Sequence, residues 1–444
     1  MFSKRIHRGS FALSLLLVIS LLLSACGGET PAPAATATTG EQVAPTTGTE
    51  ATATTPAGDT GTEATATTPA GDTGTEATAT TPAGDAGGDR ITIKIGFAFI
   101  TSGDNAVYGN SQRAAAEMAV EEINAGDDGP RIEAIFEDTA GKPDQAITVF
   151  QKFINSDQVH AIIGPTLSNE ARSSDPVAQE AGVPVLGVSN TAGGITDIGD
   201  YIFRNSLAEF QVIPETIRQA KEKLNLTKVS LLYASDDAFS KSGADVFRAE
   251  LQKNNIQILS EQTFATADTD YRTQLTQIKG ENPDAIVVSA LANPAQTILQ
   301  QARRDVGIDP KVHIIGGNGF NSPAVVKAAG DTAEGLVVGA AWNLNATDEL
   351  SQQFIKNFNA KHGRDPDQFA AQAYAGVYIL HFAASRADLE GVELADARDA
   401  IRAQLNNIEN FGTVLGPFGF TDKRDANHPP VVQIVRNGVF EILK

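Results

Sequence analysis

The chain is 444 residues long, 41% hydrophobic and 20% charged, with a formal net charge of −20. That length and composition suit two or three domains with real cores, and the acidic balance argues against nucleic acid or an anionic membrane surface as partner. A single cysteine, Cys26, rules out an intrachain disulfide and a cysteine-built metal site.

Lys4, Arg5 and Arg8 precede an almost wholly apolar run from Phe11 to Leu23, and small residues lead into Cys26. This is the layout of a secretory signal, with a run short for a membrane span. The cysteine's position resembles the bacterial lipobox, which implies cleavage after residue 25 and lipidation of Cys26. Residues 26–89 then read as a lipid-anchored linker. TGTEATATTPAGD, from Thr47 to Asp59, recurs unchanged from Thr60 and from Thr73. No copy carries an apolar face, so the segment is expected to be disordered, with a reach of about 45 Å.

From Arg90 the patterning is that of a folded head. An apolar strand runs from Ile91 to Phe99. A polar loop through Tyr108 and Gly109 follows, then a helix with Ala115, Met118, Ala119 and Ile123 on one face. Arg131 to Phe136 is a strand, and Pro143 opens a helix ending near Asn155. The strand Ala161-Ile162-Ile163 breaks at Gly164-Pro165. After it come a polar loop from Thr166 to Glu170, a helix to about Ala181, the strand from Val183 to Val188, and the loop Ser189-Asn190-Thr191. Both loops leave the carboxyl ends of neighbouring parallel strands, where open α/β sheets bind ligands. Ser168 and Thr191 are candidate hydroxyl donors there, and backbone N–H groups at a helix start favour an anion. Helix capping by Ser168 and Asn169 is an equal alternative. Tyr201 to Arg204 is a further strand.

A second series of strands and helices follows. Strands are expected at 229–233, 256–264, 285–289 and 312–316. Helices are expected at 213–223, 243–254, 271–279 and 297–306. Asp236, Asp237 and Phe239 fall in the loop after the first of these strands, and Asn318 in the loop after the last. After Val338 the pattern turns helical, at 350–362, 367–388 and 396–405. The chain closes with a hairpin around Asn437-Gly438. Trp342, Phe97, Phe99 and Phe320 read as core aromatics, with the lining of a larger pocket as the alternative. The whole is an α/β protein of two doubly wound, Rossmann-like lobes whose ligand-binding edges face each other across a cleft.

The head resembles a known family. The pieces are Tyr108-Gly109, Glu122 to Gly126, Glu137-Asp138 with Lys142-Pro143-Asp144, and Ile163-Gly164-Pro165 with Ser168. Ala181 to Val185, Gly335-Leu336 and Gly416-Pro417 complete the set. In this order they look like the type I periplasmic binding proteins that serve branched-chain amino acid ABC transporters. The resemblance implies two lobes joined by three hinge crossings near Ala208, Val338 and Phe411. Lobe 1 would be 90–207 plus 338–410, and lobe 2 would be 208–337 plus 411–444. It implies a lipid-anchored monomer on the extracytoplasmic face of a bacterial membrane, without cofactor, delivering a small solute to permease subunits with a cytoplasmic ATPase.

By the same likeness Ser168 and Thr191 hold the ligand carboxylate, the Ser189 carbonyl accepts from its ammonium, and Tyr108 lines the site. The second lobe departs from the pattern. Asn318 stands where amino-acid binders carry an acid, and Phe239 stands where they carry a tyrosine. An amide cannot supply the charge-assisted bond of a carboxylate, and Asp236 or Asp237 is the candidate replacement. The expected ligand is a small amino acid or related carboxylate, with an amide, urea or aromatic acid as alternative, or a sensory role beside a separate receptor. No HExxH, Gly-x-Ser-x-Gly or phosphate-loop pattern occurs, so an enzyme is not expected.

Overall fold

The structure is a computed structural model that describes residues 90–444. The signal, Cys26 and the repeat linker lie outside the described residues. Among the described residues no helix is long and apolar enough to cross a membrane.

In chain order the first elements are β1 (Thr92–Phe99), α1 (Ala106–Ala125), β2 (Arg131–Asp138), α2 (Pro143–Lys152), β3 (Ala161–Ile163), α3 (Ser168–Glu180), β4 (Val185–Gly187) and β5 (Ile202–Arg204). Next come α4 (Glu209–Leu224), β6 (Lys228–Ala234), α5 (Ala238–Lys253), β7 (Gln257–Phe264), α6 (Arg272–Glu281), β8 (Ala285–Ser289), α7 (Ala292–Gln300) and β9 (His313–Gly316). The chain ends with α8 (Pro323–Ala329), β10 (Val337–Ala340), α9 (Glu349–His362), α10 (Gln368–Arg386), α11 (Leu394–Asn406), β11 (Phe411–Thr413), β12 (Gly416–Phe418), β13 (Val431–Arg436) and β14 (Val439–Ile442).

The strands form two large sheets. The first is parallel throughout, in the order β2-β1-β3-β4-β5. The second has β7-β6-β8-β9-β10 in parallel, extended by the antiparallel pair β13-β14. Renumbered within each sheet, both parallel parts follow the same doubly wound order, 2-1-3-4-5. In that order the connection reverses beside the first strand, and a crevice opens at the carboxyl ends there. The two reversal points are β1/β3 and β6/β8.

The central strands are apolar because helices cover both faces. Ile93, Ile95, Phe97 and Phe99 of β1 pack into one core with α1, α9, α10 and α11. Phe97 stacks on Phe136 of β2, with ring centroids 4.4 Å apart. Helix α10 is buried along most of its length and reads Ala-Ala-Gln-Ala-Tyr-Ala-Gly, small enough for close approach. A Cβ at Gly376 would sit 2.7 Å from Val188 Cγ1. The helices after β10 therefore belong with the first sheet, and β13-β14 with the second. The chain passes between the two sheets three times, after β5, after β10 and before β13.

Several elements differ from the sequence-based expectation. Helix α5 begins at Ala238, because Asp237 caps it by accepting from the Ser240 N–H at 2.8 Å. Phe239, expected in a loop, is therefore in the helix's first turn. Likewise α7 begins at Ala292 and α3 at Ser168. Helices α2 and α7 run on into single wide turns, at 153–157 and 301–305. The short α8 and the β11-β12 pair were not expected at all.

Candidate functional site

The carboxyl ends of the two sheets face each other, and a cavity of about 20 Å³ lies between them. Its walls come from the carboxyl ends of the strands and, where loops were expected at Tyr108, Ser168 and Phe239, from the first turns of the helices that follow. From the first sheet's side Tyr108 follows β1, Leu167 and Ser168 follow β3, and Ser189 follows β4. From the second, Phe239 follows β6, Leu291 follows β8, and Asn318 and Gly319 follow β9. Five of the six expected site residues line this one space. Thr191 is not among the lining residues. Its hydroxyl donates to Glu209 Oε1 at 2.8 Å.

Neither Ser168 nor Asn169 caps its own helix. The Ser168 hydroxyl accepts from the Ala192 N–H at 3.2 Å, tying the two first-sheet loops together. Asn169 reaches across to the second sheet's side. Its amide donates to Asp237 Oδ1 and its oxygen accepts from the Ala238 N–H, both at 2.9 Å. Tyr108 crosses as well, donating its hydroxyl to the Gly319 carbonyl at 2.6 Å. Burial and the nearby Asp237 carboxylate push its phenol well above the ordinary value. It stays a donor across physiological pH. The Gly193 N–H donates to Ser242 Oγ at 2.9 Å as a further crossing.

Beneath the cavity Gln112 of α1 is fully buried and joins two strand ends. It donates to Ser189 Oγ at 2.7 Å and accepts from the Thr166 hydroxyl at 2.8 Å, while Ser189 donates to the Thr166 carbonyl. The Ser189 hydroxyl is thereby fixed, leaving its backbone for other roles. Gln112 has no sequence signal beyond its place on the apolar face of α1. Phe369 also lines the cavity and packs on Tyr108, with ring centroids 4.6 Å apart. It lies in the first turn of α10, whose helical pattern was legible but whose approach to this site was not.

No ionisable acid or base except Tyr108 lines the cavity. Asp236 is turned to the other side, where it accepts from the Thr266 N–H and hydroxyl. Asp237 is buried next to the site, and burial raises its pKa. Asn318 accepts from Gln368 Nε2 at 2.5 Å, so its own N–H groups are what it presents. Behind Thr191, burial pushes the Glu209 carboxyl up to about 7. The site therefore offers hydroxyls, an amide, backbone groups and three aromatic rings around a small solute.

Two doubly wound sheets with facing carboxyl ends, three crossings between them and a small space lined by hydroxyls, an amide and aromatic rings at their meeting define a solute-binding α/β fold. The periplasmic binding protein family model matches residues 92–438, and the chain belongs to that family, in its type I branch. It is 25% identical over 341 residues to the leucine-, isoleucine-, valine-, threonine- and alanine-binding protein of Pseudomonas aeruginosa, covering 76% of this chain and 88% of that one. It is 30% identical to the solved branched-chain amino acid transporter substrate-binding protein of Streptococcus pneumoniae in complex with isoleucine. That match has a TM-score of 0.72 and covers 79% of this chain and 98% of the other. A solute-binding protein of R. palustris in complex with benzoate shares the fold at 21% identity, with a TM-score of 0.72 and coverage of 79% and 95%.

Proposed function

We propose that this chain is the extracytoplasmic solute-binding protein of an ABC importer. It takes a small amino acid or related carboxylate into the cavity between the two sheets. The observation that carries the reading is the convergence of Ser168, Ser189, Tyr108, Phe239 and Asn318 on one space at both reversal points. Ser168 and Thr191 hold the carboxylate, Thr191 on releasing Glu209. About 20 Å³ holds about one water, so a solute enters only when the walls part. Lobes of 90–207 plus 338–410 and 208–337 plus 411–444 would swing about crossings near Ala208, Val338 and Phe411. Solute contacts to both lobes then draw them back together. Solved relatives are substrate-binding proteins of ABC transporters, and the closed form is the form delivered to a permease. The chain acts as a monomer, without catalysis, held at the membrane through lipid on Cys26.

A second reading keeps the importer and changes the solute to an aromatic carboxylate lacking an amine. Tyr108, Phe239 and Phe369 around the cavity favour it, as does the absence of a lining carboxylate for an ammonium. Thermal melting of the unfolded and refolded full-length protein against the twenty amino acids, benzoates, short amides and urea separates the readings. A ligand at about a hundred times its dissociation constant adds roughly 2.7 kcal/mol, a shift of several degrees. Shifts with aliphatic amino acids support the first reading and shifts with benzoates alone support the second. No shift across the panel overturns both.

A further inference from the structure

The two halves of the molecule face each other a second time, beside the crossing that leaves β10. A cavity of about 570 Å³ lies there and shares no lining residue with the first. One side is built by Val107, Arg364 and Pro366. The other is built by Pro323, Lys327 and Phe440. Trp342 and Leu344, on the crossing itself, complete it.

Its walls combine apolar surface with two cations, Lys327 and Arg364, and two acids, Asp365 and Asp367. Leu344 and Val439 both line it at 37% and 58% exposure, and they belong to a short set of large hydrophobic side chains left open to solvent among the described residues. Singly such groups are ordinary, but here the two face one cavity together with Trp342 and Phe440. Lys327 and Arg364 make no ion pair among the described residues, although the Arg364 charge acts on the Asp367 carboxyl against the effect of its burial. Arg364 lies over the Phe358 ring, 5.0 Å from its centroid, and reaches only the Asp365 carbonyl at 3.5 Å. The two acids of the lining are already engaged. Asp367 accepts from the Ser111 hydroxyl at 2.6 Å and the Ala370 N–H at 2.9 Å, and Asp365 accepts from the Asn359 amide at 2.8 Å.

The cavity's amides are spent on one another. Asn343 donates to Gln433, Gln433 to Asn321, and Asn321 to Gln368 at 2.6 Å. Recognition of a ligand therefore falls to the two cations and the apolar walls. The geometry points to a second solute site, taking an anion with an apolar body, such as a medium-chain carboxylate, between Lys327 and Arg364.

The protein carries its own reporter, since Trp342 is the one tryptophan in 444 residues. Full-length protein is titrated with octanoate, and with octanol as the neutral control, while Trp342 emission is recorded. Octanoate is expected to give a saturable change and octanol none. K327Q/R364Q should raise the octanoate dissociation constant at least tenfold. Both side chains are exposed, so the variant keeps its fold. Ser168→Ala, in the first cavity, should leave octanoate binding unchanged. No saturable change, a change indifferent to K327Q/R364Q, or a change lost in Ser168→Ala each overturns the proposal. None of these readings depends on which solute the first cavity takes.

Discussion

Tyr108 and Gly319 are 211 residues apart in sequence, yet the Tyr108 hydroxyl donates to the Gly319 carbonyl at 2.6 Å. The bond joins the first turn of α1, just after the first strand of one sheet, to the turn after the fourth strand of the other. It is a fastening between the two halves that leaves the chain's hydrogen bonding within each sheet untouched. Phe at position 108 keeps the ring packed on Phe369 and removes only the fastening. A net hydrogen bond is worth about 1 kcal/mol, so Tyr108→Phe should weaken solute binding about fivefold with little change in melting temperature. Calorimetric titration beside a thermal melt checks both halves of that statement. Unchanged affinity would mean the bond does not help hold the halves together.

Ser168 and Thr191 should each show a double loss when cut back to alanine. Ser168 borders the cavity, and in the proposed site its loss removes a bond to a charged ligand group, worth about 1.5–3 kcal/mol. Affinity should fall at least tenfold, and the buried Ala192 N–H left without its acceptor should cost about 1–3 kcal/mol of stability. Thr191 also satisfies a buried carboxyl, so Thr191→Ala should lower affinity and cost about 1–3 kcal/mol of stability. If both variants bind as the parent does, the carboxylate lies elsewhere.

Glu209 gives the fold a pH dependence of definite sign. Burial raises its carboxyl from 4.5 to about 7 in the folded chain, against the pull of its bond to Thr191 and of Arg204. The native state therefore holds this proton where the unfolded chain has lost it. The stabilisation is complete below about pH 4.5 and is lost as pH rises through about 7. Glu209→Gln should flatten the stability profile across that window, by a few kcal/mol at most. Urea midpoints at pH 5 and pH 8 test it, and an equal slope in the two proteins would refute it.

Arg204 and Asp425 form a buried ion pair at 2.5 Å, with the Arg204 side chain fully enclosed. It joins the end of β5 to the segment that leads back into β13. Asp425→Ala leaves a buried guanidinium held only by carbonyl oxygens, and should cost about 3–5 kcal/mol. Chemical denaturation measures the loss. A loss under 1 kcal/mol would show the pair to be dispensable.

Much of this was legible in the sequence, and the reasons differ by element. The parallel strands are short apolar runs that turn signals bound on both sides, so β3, β4, β8 and β9 stood out. Helix α1 stood out by the spacing of Ala115, Met118, Ala119 and Ile123. Helix starts were missed where the cap was an acid already assigned to a loop, as at Asp237. Helix α8 was missed because seven residues hold too few turns to show a period. The pairings were the least visible. Asn169 with Asp237 and Thr191 with Glu209 join side chains that local pattern cannot connect. Gln112 and Phe369 reach the site only because α1 and α10 carry them there.

The three passages of the chain between the sheets also set an order of assembly. The five parallel strands of the second sheet lie in one uninterrupted stretch, from Lys228 to Ala340. The first sheet's strands are complete by Arg204, but the core above them needs α10, which ends at Arg386. As the chain emerges from its N-terminus, the part that appears first must wait with β1 and α1 uncovered until nearly two hundred further residues have followed. Domains usually finish in the order in which they emerge. Here the later half can close while the earlier one is still open, so the N-terminal sheet is the half that holdases and proteases would meet.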